Sequence, residues 1–318
     1  MAKKKENISG VSKELSQAIK KNINKERKRI DFPLKEVGIG ISVSESEEFL
    51  ELGFSDMHLK DITIELTRYL LVNGAKLVYG GDLRQGGYTF IFSELAFQYR
   101  KQGNSDDRYF INYFPWPTYL QLSNVDLAQF KKNRVEIVRV PCVNESLSDQ
   151  WTAEGFSENP ENQKLLAECI SSMRAEMAQG TFGRIFIGGR LSDFRGFLPG
   201  ILEEAFIAAQ KKQPLYLVGA FGGATGFLIR AIKGERSDSL ANELIDTFPP
   251  WRDLGQKDVK RNYKSKIKKV FDFFKDMGAN GLSELNGLSI ERNNILFDSV
   301  HVQEIIYHIL DGLKSKVK

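Results

Sequence analysis

The stretch Arg184–Glu204 reads RIFIGGRLSDFRGFLPGILEE, and its order decides the fold. Ile185, Phe186 and Ile187 form a short apolar run, the size of a buried strand. Gly188 and Gly189 follow where such a strand would end, and a polar loop then carries Arg190, Asp193 and Arg195. Gly196, Pro199 and Gly200 lead into a helix with Glu203 and Glu204 in its first turns. A strand, a glycine-rich turn and a helix N-terminus together suit a phosphate group. Glycine admits a ligand close to the backbone, and the first helical N–H groups point at it. The two glutamates would repel phosphate. They suit a ribose hydroxyl or acid–base work beside the phosphate, or they simply complement the positive end of the helix.

The same unit recurs on both sides. KLVYGG at 76–81 is a strand that runs into Gly80 and Gly81, and the loop continues through Asp82, Arg84, Gly86 and Gly87 into Thr89 and a helix. Asp82 suits a ribose hydroxyl and Arg84 a phosphate clamp; the alternative is an Asp–Arg pair within a tight turn. LYLVG at 215–219 is followed by Phe221, Gly222 and Gly223 and by another helix. VGIGISV at 37–43 is the first core strand, with Ser42 and Ser44 as small residues at its carboxyl end. RYFINY at 108–113 and VEIVRV at 135–140 supply two more strands. Helices are expected over 58–73, 125–132, 160–179 and 197–211, with Asn159 as an N-cap before Pro160. Trp116, in PWP, either covers a ring or packs in the core, and core packing is the commoner use.

Strands alternating with helices predict an α/β domain, a largely parallel sheet with helices on both faces. In such sheets ligands bind at the carboxyl ends of the strands, where all three double-glycine loops fall. Neighbouring strands would bring these loops to one crevice, which implies a nucleotide or a related phosphate ester. The expected division is a basic arm over 1–34, a nucleotide-binding domain over 35–235 and a helical C-terminal extension over 236–318. The basic run KDVKRNYKSKIKKVFDFFKDM in that extension reads as a solvated helix face.

Composition narrows the class. The chain of 318 residues is long enough for a large core, and its net charge of +4 is mild. No run of ~18 apolar residues exists, so no membrane span is expected. The basic N-terminus lacks an apolar segment and does not resemble a secretory signal. Cys142 and Cys169 are the only cysteines; they read as packing residues in a reduced, cytoplasmic protein. The histidines, His58, His301 and His308, have no zinc spacing, and no metal is expected.

GGRLSDFRGFLPGILEEA, followed by a strand and FGGATG, resembles the SLOG superfamily, and YGGDLRQGGYT is similar to the SLOG clusters of bacterial conflict systems. The superfamily includes the LOG phosphoribohydrolases, a DNA-processing protein and ligand-sensing domains of channels and antiphage systems. The resemblance covers about residues 35–235 and implies a Rossmann-like fold. LOG hydrolases carry Pro-Gly-Gly-x-Gly-Thr-x-x-Glu; here Pro199–Gly200–Ile201–Leu202–Glu203–Glu204 keeps Pro-Gly and a glutamate but lacks the Gly-Thr core. The first reading is therefore a module that binds an NAD- or ADP-ribose-like ligand as sensor or effector, in a setting such as antiphage defence. It would need no obligatory cofactor, and it would work as a homodimer or higher oligomer or with a protein partner. The second is a nucleotide N-glycoside hydrolase, with Glu203 or Glu204 stabilising charge on the sugar. Nucleic-acid binding through the basic arm and the late basic helix is the weakest of the three.

Overall fold

The computed structural model describes residues 32–84, 86–99, 108–150, 160–245 and 257–317. The basic arm is described only from Phe32 on, and Asn159 lies outside the described residues. Leu34–Lys318 forms one compact unit, and Met1–Pro33 is a separate one.

The described strands are β1 (Gly38–Ser44), β2 (Lys76–Gly80), β3 (Phe110–Pro115), β4 (Glu136–Val140), β5 (Gly183–Gly188) and β6 (Leu215–Val218). They form one sheet in the order β4-β3-β2-β1-β5-β6, and every pairing is parallel. Helices α1 (Asp56–Val72), α2 (Tyr88–Gln98), α3 (Asn124–Lys132), α4 (Pro160–Met177), α5 (Gly200–Gln210) and α6 (Gly223–Ile232) alternate with the strands. This is the Rossmann-like α/β arrangement that the alternation predicts. The chain winds outward from β1 to β4 and then returns to the other side of β1 as β5. That reversal makes the carboxyl ends of β1 and β5 the switch point of the sheet.

The period of two along each strand sorts the side chains onto two faces. Ile41 of β1 and its neighbour Ile185 of β5 face a core shared with α1, α2 and the last helix. Phe186, Leu215 and Leu217 face the opposite core, built on α5 and α6. On that second face β1 places Gly40 and Ser42 beside Arg184 and Phe186 of β5. A Cβ on Gly40 would stand 3.0 Å from the Arg184 guanidinium, closer than an ordinary contact, so a side chain there would press on that buried arginine. A charged residue inside the central strand thus favours a small neighbour.

Local chemistry sets the helix ends. Ser123 caps α3 by accepting from the Asp126 N–H at 3.1 Å, while Asp126 accepts from the Ser123 N–H at 3.0 Å. Helix α5 begins at Gly200 rather than at Phe197, because Pro199 at its N-cap is extended (φ −46°, ψ 133°). Strand β3 runs to Pro115, later than the segment 108–113 expected from the sequence, because the residues beyond Tyr113 still pair with β4. Trp116 is buried against Cys142, Leu165 and Cys169. The two thiols lie 4.0 Å apart as free cysteines, and burial pushes the Cys169 thiol up to about 12.

The C-terminal helices are α7 (Ser237–Ile245), α8 (Lys257–Asn286), α9 (Ile290–Asp298) and α10 (Val302–Lys316). Tyr263, Ile267, Val270, Phe271 and Phe274 of α8 are buried, while Lys266, Lys269 and Lys275 are exposed, so from Asn262 on these lysines lie on a solvated face. These helices also close the β6 edge. Asn286 Nδ2 donates to the Leu215 carbonyl at 2.9 Å, Gly219 N donates to the Leu296 carbonyl at 3.1 Å, and the Tyr216 hydroxyl donates to the Asn286 carbonyl at 2.9 Å.

Candidate functional site

A crevice opens at the carboxyl ends of β1, β2 and β5. Its narrow limb, about 220 Å³, is lined by Ser42, Ser44, Tyr79, Gly80, Gly200 and Ile201 among others. Its wide limb, about 560 Å³, runs over Gly81, Asp82 and Arg84 to Pro115, Gln121, Leu166, Ile170 and Met173. Ser44, Gly80, Arg174, Arg190, Arg195 and Glu204 border both limbs and make them continuous.

The floor is an ion-pair network. Glu204 accepts from the Ser42 hydroxyl at 2.5 Å and from Arg184 Nη1 at 2.7 Å, both on Oε2. Its Oε1 lies 3.4 Å from Arg174 Nε. Glu203 accepts from Arg174 Nη1 and from the Ser171 hydroxyl. Arg184 is fully buried; burial depresses its pKa and Glu204 opposes the shift. Tyr79 stands at the narrow limb as a neutral phenol, held well above its usual range by burial and then by Asp82 and Glu204.

Four arginines border the crevice, and they differ in how they are held. Arg84 is clamped to Asp82 (2.8–3.0 Å), and that hydrogen bonding raises its pKa. Arg174 is engaged by both glutamates. Arg190 pairs with Glu45 at 2.7 Å, with both side chains partly exposed. Arg195 has no carboxylate partner among the described residues.

Several glycines have an explanation inside the protein. A Cβ on Gly196 or Gly200 would stand 2.6 Å or 2.8 Å from the Arg174 guanidinium, so both make room for that arginine. Gly188 and Gly189, at φ 66° and 115°, turn the chain where a Cβ would strike the Ser44 carbonyl or Ala224. A Cβ on Gly222 would overlap the Glu48 carboxylate, which accepts from the Gly223 N–H at 2.5 Å. Gly87 is the N-cap of α2 beside Asp82, and the Thr89 hydroxyl accepts from the Asp82 N–H at 3.1 Å.

The structure therefore brings Ser42, Ser44, Gly80, Gly81, Asp82, Arg84, Arg190, Arg195, Gly200 and Glu204 to one crevice. It does not place Gly86, Gly87, Thr89, Gly188, Gly189, Gly196, Pro199, Glu203, Phe221, Gly222 or Gly223 on its lining. Arg174, Arg184, Tyr79 and Glu45 belong to the site without having been singled out in the sequence. Arg184 carried a signal, since a charge opening a buried strand needs a partner. Arg174 lies on an amphipathic helix far from Glu203 in sequence, and nothing local marks it. Among the described residues no three His, Cys, Asp or Glu side chains group as metal ligands. No described helix is long and apolar enough to cross a membrane.

No curated protein matches the chain. Residues 33–296 match the family model described as SLOG cluster2, which spans the whole sheet, the crevice and the helices through most of α9. With the parallel sheet and the switch-point crevice in place, that match identifies the chain as a member of the SLOG cluster2 family, a SLOG-type nucleotide-related module.

Proposed function

We propose that the chain binds a nucleotide-derived ligand of the NAD or ADP-ribose class and acts as a sensing or effector module. One observation carries this reading. The N-terminus of α5, the Arg174 guanidinium and Arg195 all border the narrow limb. A guanidinium beside the positive end of a helix is unfavourable unless an anion joins it, and Glu203 and Glu204 meet that need only from the floor side. A phosphoryl group in the narrow limb would complete the charge balance. The ribose then falls near Asp82 and Glu204. The base lies in the wide limb against Leu166, Ile170 and Met173, where apolar side chains suit a flat ring.

The hydrolase reading rests on Glu204, the glutamate that lines the crevice. Its Oε2 already accepts two hydrogen bonds and its Oε1 faces Arg174, an arrangement suited to holding the floor together. Sensing is therefore the better reading. An antiphage setting and a homo-oligomeric assembly are parts of the same proposal. The test is calorimetric titration with ADP-ribose, NAD and nucleoside monophosphates, with mass spectrometry of the mixtures. Binding without release of a free base, weakened about tenfold in Arg195→Ala, supports sensing; about 1.5 kcal/mol is the scale of one charged hydrogen bond. Release of free base, lost in Glu204→Gln, reverses the ranking. Neither binding nor turnover removes the proposal.

A further inference from the structure

β1 ends at Ser44 and runs on as Glu45-Ser46-Glu47-Glu48, and each of these five side chains bonds the loop after β5 or the loop after β6. Ser44 Oγ accepts from the Arg190 N–H at 3.1 Å, and Glu45 accepts from Arg190 Nη2 at 2.7 Å. The Ser46 hydroxyl donates to the Phe221 carbonyl at 2.6 Å. Glu47 takes the N–H groups of Leu191 and Ser192 at 3.0 Å and 2.7 Å, and the Ser192 hydroxyl at 2.6 Å. Glu48 takes the N–H of Gly223, the first residue of α6. Further along, Phe54 packs on Phe221 with ring centroids 4.7 Å apart, while Leu50 and Leu52 project into solvent.

These donors are of the kind that bind phosphate: a guanidinium, adjacent backbone N–H groups and a helix N-terminus. In this protein carboxylates of its own chain fill them, and the third glycine loop is shaped around one of those carboxylates. We propose that Glu45–Phe54 is a strap whose carboxylates compete with the anionic group of the ligand, and that the ligand displaces it by taking Arg190 from Glu45. The inference rests on the nucleotide reading of the crevice.

Arg190 is the residue at which exchange is easiest. Arg174 is held from below by two glutamates, and Arg84 by a forked pair with the adjacent Asp82. The Arg190–Glu45 pair is partly exposed, 44% and 35% for the two side chains, and belongs to the weakest kind of ion pair. A phosphoryl group in the narrow limb offers Arg190 a bidentate anionic partner instead. Release of Glu45 leaves its carboxylate beside a bound anion without the Arg190 charge, and their mutual repulsion favours lifting the strap.

The probe is inorganic pyrophosphate, titrated by calorimetry into the full chain and into Glu45→Gln, with ADP-ribose titrated in parallel. Chymotryptic cleavage within the strap, at Phe49, Leu50, Leu52 and Phe54, is followed with and without pyrophosphate. The expected result is binding at least fivefold tighter in E45Q, and cleavage several-fold faster in the unmodified chain when pyrophosphate is present, with no rise at other sites. E47Q/E48Q should be cleaved rapidly without pyrophosphate; if that variant does not fold, E45Q and the unmodified chain carry the test. If ADP-ribose or pyrophosphate binds but E45Q gains nothing and cleavage does not change, the strap is overturned while the nucleotide reading survives. If neither ligand binds either protein, both fall.

Discussion

Replacing Glu204 by alanine should cost stability because of what it leaves behind. Arg184 sits in the central sheet with its side chain 2% exposed, and Glu204 is its only carboxylate partner among the described residues. After truncation Arg184 Nη1 retains the Ser42 hydroxyl at 3.1 Å, a neutral acceptor, and Nη2 a Thr181 hydroxyl at 3.5 Å. Unit charges ~4 Å apart in an effective dielectric of about 20 attract by about 4 kcal/mol. Breaking a buried pair from one side costs about 3–5 kcal/mol for the same reason. Arg174 adds little to the loss, since it keeps Glu203. The expected cost of Glu204→Ala is therefore about 3–5 kcal/mol, a large part of the ~5–15 kcal/mol that holds a typical domain. Glu204→Gln keeps the shape and an acceptor and should cost about half as much. The double variant Arg184→Met/Glu204→Leu removes both charges and should recover most of the loss. Urea unfolding followed by circular dichroism measures all of these from the midpoints at a common slope. A cost below about 1 kcal/mol for Glu204→Ala, or strict additivity in the double variant, would refute the claim that this pair carries the floor. The result also bears on function, because loss of any activity in Glu204→Ala would mix collapse of the floor with loss of chemistry.

Further expectations concern other parts of the molecule. Gly81→Ala should destabilise by about 1–3 kcal/mol in thermal unfolding, because its Cβ would overlap the ring of wholly buried Phe114. Asn286→Ala should cost about 1–3 kcal/mol and raise hydrogen exchange along β6, since the side chain bonds Leu215, Leu288 and Asn293 at the edge of the sheet. His308, whose Nδ1 accepts from Arg292 Nε at 3.2 Å, has its pKa lowered by burial and then by the Arg292 charge. The folded state thus favours the neutral ring, while the unfolded chain takes a proton at the ordinary value of about 6.5. The stability this confers is full above that value and is lost as pH falls through and below it. His308→Gln should flatten the acid limb of a stability–pH curve, and an unchanged limb would show that His308 does not contribute to it.

The sequence alone determined the layered α/β plan. Apolar runs such as IFI and LYLV cannot stay in water, their length suits strands, and amphipathic stretches between them suit helices that cover the sheet. It also marked the carboxyl ends of the strands as the place for a site, because Gly80, Gly188 and Gly222 punctuate the chain there. Tertiary structure alone decided what those glycines do. Gly196 and Gly200 yield to the Arg174 guanidinium, and Gly222 to the Glu48 carboxylate, so a pattern legible as a ligand cradle is in part a cradle for the protein's own charged groups. Local sequence cannot show this. Arg174, Arg184, Ser42 and Glu204 come from four separate elements and meet only when the sheet returns past β1. Their pairing follows from burial, since a charge taken out of water must find its opposite wherever the fold brings one within reach.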